Sequence, residues 1–180
     1  MEHTPKLGCV LMAAGNARRF GENKLSAPLD GRSLILRALE AVPSEKFETV
    51  VVVTQYPEIM RLAGEFHFAA IHNDAPEEGI SRTIALGLTA LRDCDAVLFQ
   101  VSDQPLLRRA TVDQLLTAFA QTQKETERVI FRLGAPAGNG PDPLVGSPVL
   151  FSNGFFPELL TLPEGKGGSV LLHKYPTLVL

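Results

Sequence analysis

Residues 11–24 read L-M-A-A-G-N-A-R-R-F-G-E-N-K and directly follow the apolar run Cys9-Val10. An apolar run that stops on small residues is a buried strand turning into a loop. Ala13, Ala14 and Gly15 let the backbone approach a polyphosphate without side-chain clash. Arg18, Arg19 and Lys24 then supply cations that neutralise phosphate charge. The stretch is neither of the two common phosphate loops. A Walker A loop needs Ser or Thr after its lysine, and here Leu25 follows Lys24; Gly15-Asn16-Ala17 breaks the G-x-G-x-x-G dinucleotide fingerprint.

Outward from this turn, strand-like and helix-like segments alternate. The apolar run at 8–12 predicts a first strand. Residues 34–41 carry apolar side chains at helical spacing behind Ser33, an N-cap residue. The run V-V-V-V within 49–54 predicts a buried parallel strand. Residues 57–63 suit a helix with proline in its first turn. A short strand is expected at 68–72, a helix at 81–91, a strand at 96–101, a helix at 111–121 and a strand at 128–131. Residues 133–146 are rich in glycine and proline and read as a long loop over the active face. Residues 165–180 read as a glycine turn, a short helix and a last strand from 177. The alternation predicts a three-layer α/β/α, Rossmann-like fold with a mostly parallel sheet in one domain, 1–180. In such sheets ligands sit at the carboxyl ends of strands, here near Ala13 and Ser102.

The totals narrow the function classes. The chain has 180 residues, 45% apolar and 21% charged, enough to bury a core without disulfides. A net charge of −3 gives no bulk attraction to nucleic acid or anionic membrane, and no apolar segment approaches the roughly 20 residues of a bilayer span. Cys9 and Cys94 lie in or beside apolar runs, and the opening M-E-H-T-P-K lacks the apolar core of a signal peptide. A reducing cytoplasm is therefore the expected location. The four histidines contain no H-x-x-x-H pair, which argues against zinc. The absence of G-x-S-x-G argues against an α/β-hydrolase.

Three further stretches carry polar groups suited to chemistry. Ser102-Asp103-Gln104-Pro105 follows the fourth strand, where a carboxylate can hold Mg²⁺ between phosphate oxygens. Alone, Asp103 would read as an Asx-turn or helix cap; the opening motif favours the metal. Residues 73–83, N-D-A-P-E-E-G-I-S-R-T, put Gly79 and Ser81 before a helix whose N-terminal N–H groups suit an anion or a base edge. Ser81 reads either as an N-cap or as a nucleotide contact. Residues 146–151, G-S-P-V-L-F, precede F-F-P-E-L-L-T-L and the turn around Lys166.

Taken together, these stretches resemble the MobA-like nucleotidyltransferases. The opening residues are similar to that family's L-A-(A/G)-G-x-S-x-R-(F/M)-G-x-(D/N)-K, with Met12, Ala17 and Asn23 as mild departures. Asp103 falls on the aspartate of G-D-(M/Q)-P, with Ser102 in place of glycine. Residues 73–83 are similar to a stretch that contacts base and ribose, with Thr83 in place of its last serine. Residues 146–151 are similar to G-x-P-(V/I)-L-(F/I), on the side of the second substrate; Glu164 is displaced from the acidic position of the turn that follows. The family continues into D-(I/V)-(D/N)-T-P-(E/D)-D, whose aspartate is a second metal ligand, and the sequence given ends at Leu180 before a counterpart.

The resemblance implies the nucleotide-diphospho-sugar transferase fold and attack of an acceptor phosphate on the α-phosphate of an NTP, with loss of pyrophosphate. It implies catalytic roles for Arg19, Lys24 and Asp103, with Asp103 on Mg²⁺. It implies nucleotide contacts from Leu11, Ala13, Ala14, Gly15, Arg18, Lys24, Asn73, Gly79 and Ser81. Gly146, Pro148 and Lys166 would face the second substrate, molybdopterin; Lys166 reads either as a contact to its terminal phosphate or as a solvated turn residue. In the family A-A-G tends to accompany cytidylyl transfer and A-G-G guanylyl transfer, so CTP is expected before GTP. A molybdoenzyme apoprotein is a further possible partner. Alternatives are a guanylyltransferase, another cytidylyltransferase of the fold, and a non-catalytic nucleotide-binding accessory protein for molybdoenzyme maturation, which sustained pyrophosphate release would refute. An NAD(P)-dependent oxidoreductase is a distant third class.

Overall fold

The computed structural model describes residues 4–15, 23–122, 128–135 and 144–180. In chain order the elements are β1 (Leu7–Ala13), the small β2 (Pro28–Leu29) and β3 (Arg32–Ser33), α1 (Leu34–Glu40), β4 (Thr49–Thr54), α2 (Pro57–Glu65), β5 (Ala69–His72), α3 (Ile80–Ala90) and β6 (Ala96–Val101). Then follow α4 (Arg109–Thr122), β7 (Ile130–Ala135), β8 (Leu144–Ser152), α5 (Phe156–Leu160), α6 (Ser169–Lys174) and β9 (Leu178–Val179). Local chemistry accounts for several of the boundaries. The Ser33 hydroxyl accepts a hydrogen bond from the Leu36 N–H and starts α1. Pro57, whose missing N–H costs nothing in a first turn, starts α2.

The seven-stranded sheet runs β5-β4-β1-β6-β8-β7-β9. β1 pairs in parallel with β4 and β6, and β4 with β5; β8 alone runs antiparallel to its neighbours. Alternation along the buried strands sends successive side chains to opposite layers. Cys9, Leu11, Ala13, Val52 and Leu98 pack with α1, α2 and α4. Val10, Val51, Val53 and Phe99 pack with α3, α5 and α6. This is the expected three-layer, mostly parallel architecture. α3 lies close on β1: a Cβ built on Gly87 would be 2.6 Å from a Val10 methyl. Among the described residues, no helix is long and apolar enough to cross a membrane.

The expected loop at 133–146 is corrected. β7 continues to Ala135, and β8 is a nine-residue strand beginning at Leu144. A bulge accommodates the proline within the strand: pairing steps from Arg132↔Val149 to Leu133↔Gly146, leaving Ser147 and Pro148 without partners on β7. The Ser147–Pro148 peptide is cis.

Candidate active site

β1, β4 and β6 end side by side, and the exit of β1 is held by side chains from both neighbours. On the β4 side, Thr54 donates its hydroxyl to the Ala13 carbonyl at 2.9 Å, Gln55 its amide to the Ala14 carbonyl at 2.9 Å, and Tyr56 its hydroxyl to the Gly15 carbonyl at 3.1 Å. On the β6 side, Ser102 donates to the Met12 carbonyl at 2.8 Å. These four bonds anchor the start of the turn that the opening motif marks. The turn itself, with Arg18 and Arg19, lies outside the described residues.

Beyond these strand ends opens a cleft of about 520 Å³, lined among others by Ala14, Gly15, Lys24, Gly79, Thr83 and Asp103. Asn23 positions Lys24: its Oδ1 accepts from the Leu25 N–H, and its Nδ2 donates to Ser26 and Glu58. The Lys24 ammonium then lies 3.8 Å from the Asp103 carboxylate, both side chains about half exposed (50% and 52%). Two residues 79 apart in sequence thus meet as a cation and an anion in one cleft. The opposite wall is the start of α3. Gly79 adopts φ 82° and ψ −158°, and a Cβ there would sit 2.9 Å from the Gly165 Cα. Only glycine fits that conformation and that approach.

Other expected site residues are placed elsewhere. Leu11 and Ala13 are fully buried and point into the α1/α2/α4 layer, because strand alternation gives the cleft Met12 instead. Asn73 is 1% exposed and builds the loop, accepting from the Ala75 N–H and donating to Thr83. Ser81 is not the N-cap, since Gly79 precedes the helix. Its hydroxyl donates to the Glu78 carbonyl and accepts from the Gly165 N–H, fastening α3 to the glycine turn. Pro148 is buried and Lys166 exposed, and neither lines the cleft or the cavity beside it. Gly146 does line that second cavity, which has a volume of about 290 Å³ and shares the wall Met12, Ile80 and Val101 with the cleft. Reading residue types in sequence missed Glu77 on the cleft wall and the bracing trio Thr54, Gln55 and Tyr56. Their one signal is position: Thr54, Gln55 and Tyr56 at or just after the end of β4, and Glu77 just before α3.

The cleft suits a hard cation shared with phosphates. Asp103 offers an accessible oxygen ligand, and Mg²⁺ is commonly held by one or two carboxylates plus substrate phosphates and water. Among the described residues no cluster of three or more His, Cys, Asp or Glu forms a self-contained metal cage, so phosphate oxygens and water would complete the shell.

The comparisons with known proteins agree with this architecture. The MobA-like NTP transferase domain matches residues 9–178. The purine catabolism protein PucB of Bacillus subtilis is 28% identical over 181 residues, covering 94% of this chain and 82% of PucB. A probable molybdenum cofactor guanylyltransferase of Pyrococcus horikoshii is 26% identical over 122 residues, or 66% of this chain; that match spans 59% of the archaeal protein. The crystal structure of Rv0371c from Mycobacterium tuberculosis H37Rv superposes with a TM-score of 0.76 at 18% identity, over 98% of this chain and 87% of that one. The same mycobacterial protein in complex with manganese gives 0.67 at 20% identity, over 98% and 88%. With the family domain spanning nearly the whole sheet and both cleft walls, the chain belongs to the MobA-like NTP transferase family and is a nucleotidyltransferase.

Proposed function

We propose that this nucleotidyltransferase moves CMP from CTP to the phosphate of molybdopterin. An acceptor phosphate oxygen forms a bond to the α-phosphorus of CTP while the bond to the pyrophosphate leaving group breaks. The observation that carries the reading is the pairing of Lys24 with Asp103 in a cleft at the carboxyl ends of β1 and β6. Such a site acts by positioning and by charge neutralisation, with no covalent intermediate needed.

Gly15 and the adjacent backbone border the triphosphate. Lys24 offsets negative charge growing on the leaving pyrophosphate, together with Arg19, and Arg18 adds to the phosphate site. Asp103, freed from Lys24 as phosphates enter, would hold Mg²⁺, which when bound supplies charge neutralisation and alignment of the phosphates. Gly79 and the start of α3 border the base. The Ala14 methyl lines the cleft and narrows it, which favours a pyrimidine over a purine. The molybdopterin acceptor is supported by the sequence pattern of 146–151 and by the similarity to a molybdenum cofactor guanylyltransferase. A single domain working in the cytoplasm, with a molybdoenzyme apoprotein as recipient of the product, fits the same reading.

The test is calorimetric titration with CTP, GTP, ATP and NAD, with and without Mg²⁺, followed by pyrophosphate-release assays with molybdopterin. Mg²⁺-assisted preference for CTP and sustained release are expected. Preference for GTP would make it a guanylyltransferase. Nucleotide binding without release would leave the accessory-protein reading standing.

A further inference from the structure

The second cavity is walled mainly by apolar side chains, Phe99, Val149 and Leu172 among them, yet it contains the guanidinium-bearing Arg132. Arg132 reaches it by sheet register. Phe99 on β6 faces Val149 on β8, and Val149 faces Arg132 on β7, so the three form one row toward the α3/α5/α6 layer. A cation at the end of an apolar row is costly unless something offsets it. Among the described residues no carboxylate lies within ion-pair distance of the half-buried Arg132, and its Nε is buried without a hydrogen-bond partner. Burial alone pulls its pKa below the ordinary arginine value, with no neighbouring charge to restore it.

Two more orphaned groups lie close by. The Ser147 hydroxyl lines the same cavity, buried and unpartnered. The Gln104 side-chain oxygen is likewise buried without a partner; its Nε2 would be 4.0 Å from a Cβ on Gly146, another residue of the cavity wall. Gln104 follows Asp103, so these groups run from the cleft to the cavity. Buried polar atoms are nearly always satisfied in a folded chain, and the Arg132 and Ser147 donors left over on one cavity wall call for an acceptor atom from a ligand. The bulge at Ser147 and Pro148 lies opposite the step from Arg132 to Leu133 on β7, and Ser147 and Arg132 line the same cavity.

We propose that this cavity is the acceptor subsite and that Arg132, with Ser147 beside it, selects an acceptor bearing an anionic group on a flat or apolar body. The proposal rests on the nucleotidyltransferase reading for the word acceptor, and it replaces Lys166 with Arg132 as the anion-binding residue. The shared wall of Met12, Ile80 and Val101 sets such an acceptor against the nucleotide cleft. An oxyanion accepts hydrogen bonds from Arg132 and Ser147, while Phe99, Val149 and Leu172 pack on the body of the molecule.

Phenyl phosphate is a probe with both features, and inorganic phosphate and phenol each have one. All three are titrated by calorimetry into the full chain and into Arg132→Met and Arg132→Lys, with CTP titrated into each protein as a control. Phenyl phosphate is expected to bind more tightly than either fragment, to weaken at least tenfold in Arg132→Met and less in Arg132→Lys, while CTP binds all three proteins alike. Amide NMR shifts on the unmodified chain give a readout independent of the variants. They are expected at Phe99, Arg132 and Val149 rather than at Gly15 and Lys24. Equal affinity in Arg132→Met, no binding to the unmodified chain, or shifts centred on the cleft would each overturn the proposal. Failure of CTP to bind the unmodified chain would instead overturn the nucleotide reading and leave the phenyl phosphate result to be judged alone.

Discussion

Gly87→Ala tests how closely α3 must lie on β1, and with it the position of the helix start that walls the cleft. The added Cβ would sit 2.6 and 2.7 Å from the two Val10 methyls and 3.3 Å from the Val10 Cβ. Carbon pairs are comfortable at about 3.5–4.0 Å, so α3 must move outward by roughly an ångström or Val10 must leave its rotamer. Val10 is fully buried on an interior strand of the sheet, so any rotamer change must be made within packed surroundings. At 2.6 Å the overlap places the overpacking cost in the upper part of its usual range, about 2–3 kcal/mol, whereas replacing a helical glycine by alanine returns about 1 kcal/mol of propensity. The expected net loss is about 1–2 kcal/mol, or about 2–8 °C in Tm for a domain of this length. Urea unfolding gives the free energy, and CTP titration reports whether the α3 wall has moved. The double variant Gly87→Ala/Val10→Ala removes both clashing methyls, leaving only the 3.3 Å contact. Val10→Ala alone loses about 1.6 kcal/mol in transfer energy for two methyls. The pair should then be more stable than the sum of the single losses by about 1 kcal/mol or more. A neutral Gly87→Ala, or strict additivity in the cycle, would refute the close-packing argument.

Glu158 predicts an acid limb of stability. The Arg128 guanidinium, then Lys174 and the Tyr175 hydroxyl, hold its carboxyl at about 2 instead of the ordinary 4.5. The native state therefore binds fewer protons than the unfolded chain between those values. The contribution is complete above pH 4.5 and disappears as pH falls toward about 2. Melting temperature measured across that window should fall less steeply in Glu158→Gln, and identical slopes would sink the assignment. At Asp103, half exposed and 3.8 Å from Lys24, substitution by alanine should change stability by no more than about 1 kcal/mol. The same change should lower divalent-dependent pyrophosphate release by about a hundredfold or more, the scale of losing one preorganised charge stabiliser. Undiminished turnover would remove Asp103 from the metal site.

Periodicity made most of the sheet and its helices readable before any coordinates. The V-V-V-V run of β4, the apolar core of β6 and the capped start of α1 each specify their conformation from neighbouring residues alone. β8 escaped because Gly146 and Pro148 break a local strand pattern, and only its partners β6 and β7 reveal that a bulge accommodates the proline. Ala14, Gly15, Lys24, Gly79 and Asp103, singled out because their types fit phosphate, metal or close backbone approach, all line the cleft. Asn73 and Ser81 have equally suitable types but use their polar groups on Ala75, Thr83, Glu78 and Gly165.

The sequence by itself determined the α/β class and the strand ends at which a polyphosphate site belongs, because these follow from short-range periodicity and turn chemistry. Only the tertiary structure decided that Met12 rather than Leu11 faces the cleft, that Lys24 meets Asp103, and that Arg132 has no counter-charge among the described residues. Those outcomes depend on strand parity and register between segments far apart in the chain, and no local pattern encodes which distant group a side chain will meet.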